Sequence, residues 1–142
     1  MASRKALDLV AKAKERIENL SPAEVAAELA TPGVVLVDLR EREELEAQGT
    51  IPGAIHAPRG MLEFHADPST PHHLEGLDPA LRTILYDSWG GRSALACATL
   101  QQLGYRSVGH LEGGFKAWLA AGYPVHRRTP STYPSVPGGE TA

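Results

Sequence analysis

Apolar residues in this chain fall into two kinds of run, and each kind predicts a different element. Val34-Val35-Leu36-Val37-Asp38-Leu39-Arg40 is apolar almost without a break. Such a run predicts a strand covered on both faces, as in a parallel sheet. Thr83-Ile84-Leu85-Tyr86 is a second β-branched and apolar run. Ala54-Ile55-His56-Ala57 and Val108-Gly109-His110-Leu111 predict two more short strands. Helical spacing governs the stretches between them. Over residues 4–19, Leu7, Val10, Ala11, Ala13 and Ile17, with Leu20 just beyond, suit one side of an amphipathic helix. Lys12, Lys14, Glu15, Arg16 and Glu18 fall on its wet face.

Ser21-Pro22-Ala23-Glu24 opens the next helix. Ser21 caps it, Pro22 suits its first position, and Glu24 completes a capping box. Thr31-Pro32-Gly33 ends it after Leu29. Glu41 to Ala47 predicts a short helix, residues 49–53 a turn, and Met61 to His65 a helical turn. Residues 66–79 are rich in turn formers and predict a surface loop. Ala94 to Leu103 is a good helix former, with Gly104 as its C-cap. A last helix over 113–121 carries Trp118 and Leu119. From Arg128 the chain turns to Thr, Pro, Ser and Gly. The division expected is an N-terminal helical extension over 1–20, a domain over 21–127, and a flexible tail over 128–142.

Strands alternating with helices imply an α/β fold of three layers, a mainly parallel sheet with helices on both faces. Ligands in such folds sit beyond the carboxyl ends of the strands. The loop after Tyr86 lies at such an end. A length of 142 residues suits one domain with a real core. Net charge is −3, which makes no electrostatic case for nucleic acid or an anionic membrane. No apolar run approaches the roughly 18–20 residues of a membrane span. The basic Met1-Ala2-Ser3-Arg4-Lys5 leads into a charged amphipathic segment rather than an apolar signal core, so the expected location is cytoplasmic. A single cysteine, Cys97, excludes an internal disulfide and a cysteine-based zinc cluster.

The chemistry concentrates in Asp87-Ser88-Trp89-Gly90-Gly91-Arg92-Ser93, between the 83–86 strand and the following helix. Strand, glycine turn and helix start aim several N–H groups at one point, and such a point attracts anions. Arg92 adds a positive charge and a planar fork of donors.

This loop resembles the active-site loop of the rhodanese family, whose pattern is Cys-x-x-Gly-x-Arg-Ser after a buried strand. Three further segments are similar to the family's, in the family's order. They are Leu36-Val37-Asp38-Leu39-Arg40-Glu41, Gly49-Thr50-Ile51-Pro52-Gly53-Ala54-Ile55-His56, and Leu111-Glu112-Gly113-Gly114-Phe115-Lys116-Ala117-Trp118 with Gly122-Tyr123-Pro124-Val125. Thr50 stands where the family usually has histidine. The resemblance implies a rhodanese-like fold and a sulfurtransferase lineage with no cofactor. Four residues, 88–91, separate Asp87 from Arg92. That is the shorter loop of the sulfur-handling branch, one residue less than in the family's phosphatases.

The resemblance also implies a nucleophilic cysteine at position 87, the residue that attacks a sulfane-sulfur donor and carries the sulfur as a persulfide. This chain has Asp87 there. A carboxylate is a hard nucleophile and cannot form a persulfide. Aspartate is also negatively charged at neutral pH. At about 4 Å and an effective dielectric of about 20, each like-charge pair it makes with thiosulfate costs on the order of 4 kcal/mol. The expected protein is therefore a rhodanese-like domain impaired in sulfur transfer, binding a small anion or a protein partner at the loop.

Other residues carry two readings each. Cys97 is either a buried hydrophobe on a sheet-facing helix stripe or a surrogate nucleophile for an unusual sulfur donor. Asp38 and Arg40 either line the mouth of the site or end a strand as a salt bridge. Arg59 either joins that rim or is an ordinary surface arginine. Trp89 is either a binding platform or a lid over the cradle. Ser88 has no histidine placed by sequence to activate it. His65, His72 and His73 lack a carboxylate at helical spacing, and no metal site is expected. An oxyanion-binding protein using Gly90, Gly91 and Arg92 is a third reading.

Overall fold

The computed structural model describes residues 5–127; the tail expected over 128–142 lies outside the described residues. Five strands form one parallel sheet. They are β1 (Glu18–Leu20), β2 (Val34–Asp38), β3 (Ile55–His56), β4 (Arg82–Tyr86) and β5 (Val108–Leu111), in the order β1-β5-β4-β2-β3. Helices α1 (Ala6–Lys14), α2 (Pro22–Leu29), α3 (Arg42–Gln48), α4 (Leu62–Ala66), α5 (Gly91–Gln102) and α6 (Gly114–Ala120) alternate with them. The α/β fold with helices on both faces is thus as expected. No helix among the described residues is long and apolar enough to cross a membrane.

Alternation along the central strands builds two cores. On one face Val37 and Leu85 pack with Leu62, Ala96, Cys97 and Leu100 of α4 and α5. On the other, Leu36, Ile84 and Tyr86 pack with Val25, Phe115 and Trp118 of α2 and α6. Burial on both sides is why these strands read as continuous apolar runs. The capping box at Ser21 forms as expected. Ser21 Oγ accepts from Glu24 N at 3.1 Å, and Glu24 Oε1 accepts from Ser21 N at 2.9 Å.

The N-terminal segment departs from the expected helix over 4–19. Helix α1 stops at Lys14, and Glu18–Leu20 is a strand paired with Gly109–Leu111 of β5. Ile17 and Leu20 are three apart, a spacing that suits a helix, but the open edge of β5 offers this backbone better hydrogen-bond partners. Helix α1 packs Val10 and Ala13 on Ala94 of α5. Helix α5 also starts three residues earlier than expected, at Gly91. Its cap is Gly90 at φ +109°, a left-handed conformation glycine enters at no steric cost.

Candidate active site

Strand β4 ends at Tyr86 and delivers Asp87 to the mouth of α5. The Asp87 carboxylate turns inward and is fully buried. Oδ1 accepts from Gly90 N at 2.5 Å, and Oδ2 accepts from Arg92 N at 2.7 Å. Arg92 Nε lies 3.4 Å from Oδ2. The side chain therefore occupies the place where the helix start and its arginine would hold an anion. The loop's backbone is held from a second side. The carbonyls of Asp87 and Ser88 accept from Phe115 N and Lys116 N, at 2.8 and 3.0 Å, at the start of α6. Gly114 makes this approach possible. At φ +65°, a Cβ there would fall 2.5 Å from the Ser88 carbonyl carbon.

Trp89 folds back over the start of α5. A Cβ on Gly91 would meet its ring at 2.3 Å, so the indole lies directly on the glycine. Half of Trp89 is exposed. Arg92 is more committed than its place in the loop suggested. Its two terminal nitrogens donate to both oxygens of Glu44 on α3, each at 2.9 Å. This pairing holds the Glu44 carboxyl down at about 2, well below the usual carboxylate range. With Asp87 on one side and Glu44 on the other, the guanidinium is already neutralised.

Asp38 and Arg40 do not line the mouth; that reading is corrected. Both are buried, in a fork in which Arg40 Nη2 reaches Asp38 Oδ2 at 2.8 Å and Nε reaches Oδ1 at 3.1 Å. Arg40 also donates to Gly49 O at 2.7 Å and lies 4.2 Å over the Phe115 ring. Tyr86 Oη donates to Asp38 Oδ2 at 2.6 Å and accepts from Ile51 N. The pair ties the 49–51 turn to the sheet beneath the loop. Arg59 binds Glu63 and Thr99, joining the turn at 59–61 to α5.

The family model of the rhodanese-like domain matches residues 21–121. The chain belongs to the rhodanese-like family. A sulfurtransferase of Allochromatium vinosum is 36% identical to this rhodanese-like domain over 95 residues, 67% of this chain and 80% of that protein. A solved protein of unknown function from Rhodopseudomonas palustris, described as a possible tyrosine phosphatase, is 38% identical. It has a TM-score of 0.82 and covers 89% of this chain and 97% of its own. The polysulfide-sulfur transferase homodimer of Wolinella succinogenes is 31% identical, with a TM-score of 0.71 and coverage of 89% and 90%.

In this rhodanese-like domain the one thiol sits in a core helix and not in the loop, which agrees with the buried-hydrophobe reading of Cys97. Cys97 lies in α5, fully buried in the core with Val37 and Leu39. Burial pushes its pKa up, which disfavours the thiolate. We expect Cys97 to resist a thiol reagent such as DTNB in the native protein and to react once in denaturant. Fast native labelling would overturn this placement. His65 and His73 point ring nitrogens at the carbonyls of His72 and Leu77.

Three site residues escaped sequence reasoning. Glu44 carried a weak signal, the Glu41-x-x-Glu44 spacing of a capping box. His110 and Asn19 carried none. His110 lies on β5 directly under the loop, bonded to Ser93.

Proposed function

We propose that this rhodanese-like domain is impaired in sulfur transfer through a persulfide and acts as a binding or regulatory module. The observation that carries the reading is the Asp87 carboxylate seated on Gly90 N and Arg92 N. It supplies no soft nucleophile, and it fills the cradle with a negative charge. A thiosulfate dianion would have to displace that charge from its amides or sit beside it. The occupant of the site is then the protein's own side chain. What the loop offers outward is half-exposed Trp89, an aromatic face suited to a protein partner. The sulfurtransferase relatives support the lineage, and Asp87 supports the loss.

The test is incubation with thiosulfate and cyanide. Thiocyanate formation at the background rate is expected, with sulfate giving no measurable heat by calorimetry. Turnover well above background would sink the proposal.

A further inference from the structure

Ser93, His110 and Asn19 form a chain of hydrogen bonds that starts under the loop and ends on β1. Ser93 Oγ lies 2.8 Å from His110 Nδ1, and His110 Nε2 lies 2.9 Å from Asn19 Oδ1. Ser93 and His110 are fully buried. The direction of each proton follows from what the partners can do. Asn19 Nδ2 donates to the carbonyls of Lys14 and Ile17, at 2.9 and 3.3 Å. That turns its oxygen toward the imidazole, and an amide oxygen only accepts. Nε2 therefore carries the ring proton. In the neutral ring Nδ1 is then a bare acceptor. Ser93 has one hydroxyl proton, and Nδ1 takes it. What Ser93 turns toward Asp87 Oδ1 and Gly90 O, 3.4 and 3.3 Å away, are its lone pairs.

We propose that His110 is a positioning residue for the cradle: neutral, it holds the Ser93 proton away from Asp87, and protonated, it turns that proton onto Asp87. On acidification a hydronium ion gives its proton to Nδ1 and leaves as water, which makes both ring nitrogens donors. Ser93 then accepts from Nδ1, and its own hydroxyl rotates toward Asp87 Oδ1, whose charge makes it a stronger acceptor than the neighbouring Gly90 O. Apart from that transfer, in which one O–H bond breaks and one N–H bond forms, no covalent bond changes. The cradle thereby gains a third hydrogen-bond donor beside the two amides.

The charges around the ring are few. Glu112 Oε1 lies 3.7 Å from Nε2 and, with Asp87 beyond Ser93, favours the charged ring. Lys14, paired with Glu112 at 2.8 Å, opposes it. Burial opposes it more strongly and holds the His110 pKa below the usual imidazole value. Lys14 and Asn19 both precede the residues matched by the family model, so the N-terminal segment reaches the cradle through them. This coupling is independent of whether the domain transfers sulfur.

Nitrogen-15 NMR of labelled histidine, with carbon-13 NMR of the Asp87 carboxyl, tests it on the full chain. Near neutral pH His110 is expected to show a protonated Nε2 and a bare Nδ1. On acidification its midpoint should fall below that of free histidine, and the Asp87 signal should step at the same midpoint. Ser93→Ala keeps every charge but removes the hydroxyl, and it should shrink that step several-fold. Asn19→Asp, at an exposed position, places a carboxylate opposite Nε2 and should raise both midpoints together. An Nδ1-protonated ring in the wild type would overturn the proposal without any variant. So would an Asp87 step of full size in Ser93→Ala, which would mean charge acting through space. An Asp87 midpoint unmoved in Asn19→Asp, with His110's raised, would overturn it as well.

Discussion

Asp87→Cys is expected to convert the loop into a reactive-thiol site. The two amides that hold the carboxylate, Gly90 N and Arg92 N, would face the new sulfur, with Arg92 Nε close behind. They sit at the start of α5, a 12-residue helix whose dipole adds to their pull. In such surroundings a thiol titrates at or below about 7.5, against about 8.5 for free cysteine. The thiolate can attack the sulfane sulfur of thiosulfate, releasing sulfite, and pass the sulfur to cyanide as thiocyanate. Thiocyanate production is thus expected to rise from background to a measurable rate, with a persulfide visible by mass spectrometry. Cys97 stays silent in the core and does not confuse the labelling. Glu44 limits the gain, because it takes both terminal nitrogens of Arg92. Adding Glu44→Gln should lower KM for thiosulfate by weakening that competition. A residue-87 thiol that titrates like free cysteine would mean that the amides do not converge as described.

Arg40→Ala is expected to be the most damaging single change to stability. It leaves the Asp38 carboxylate buried with only the Tyr86 hydroxyl and the Arg40 amide as donors. It also orphans Gly49 O and removes a guanidinium packed against Phe115. Removing one partner of a buried ion pair costs about 3–5 kcal/mol. That is a large share of the roughly 5–15 kcal/mol available to a domain. Urea denaturation should show the midpoint falling with little change in slope. Arg40→Lys keeps the charge but not the fork, and should lose less. If Arg40→Ala cost under about 1 kcal/mol, the pair would not be what ties the 49–51 turn to the sheet.

Strands β2 to β5, the helices that follow β1 and the loop were legible from short-range pattern alone. Val34 to Asp38 and Arg82 to Tyr86 needed only the continuity of their apolar runs, because both faces of a central parallel strand are covered. The Ser21 cap and the glycine turn at 90–91 are likewise local, since their hydrogen bonds close within a few residues. The identity of residue 87, and with it the absence of a thiol from the loop, is a fact of the sequence. It is legible before any coordinate is known.

The folded chain decided what those residues face. Strand β1 is three residues long, too short to carry a period, and it exists because β5 has an open edge. Arg40 was indistinguishable from a rim arginine until the 49–51 turn and Phe115 closed over it. Arg92 meets Glu44 across 48 residues of sequence, Ser93 meets His110 across 17, and His110 meets Asn19 across 91. Hydrophobic period reports which side of an element is buried, and it says nothing of which polar group waits on the other side. Charge pairing and proton direction depend on distances of a few ångströms between distant parts of the chain, and only packing sets those.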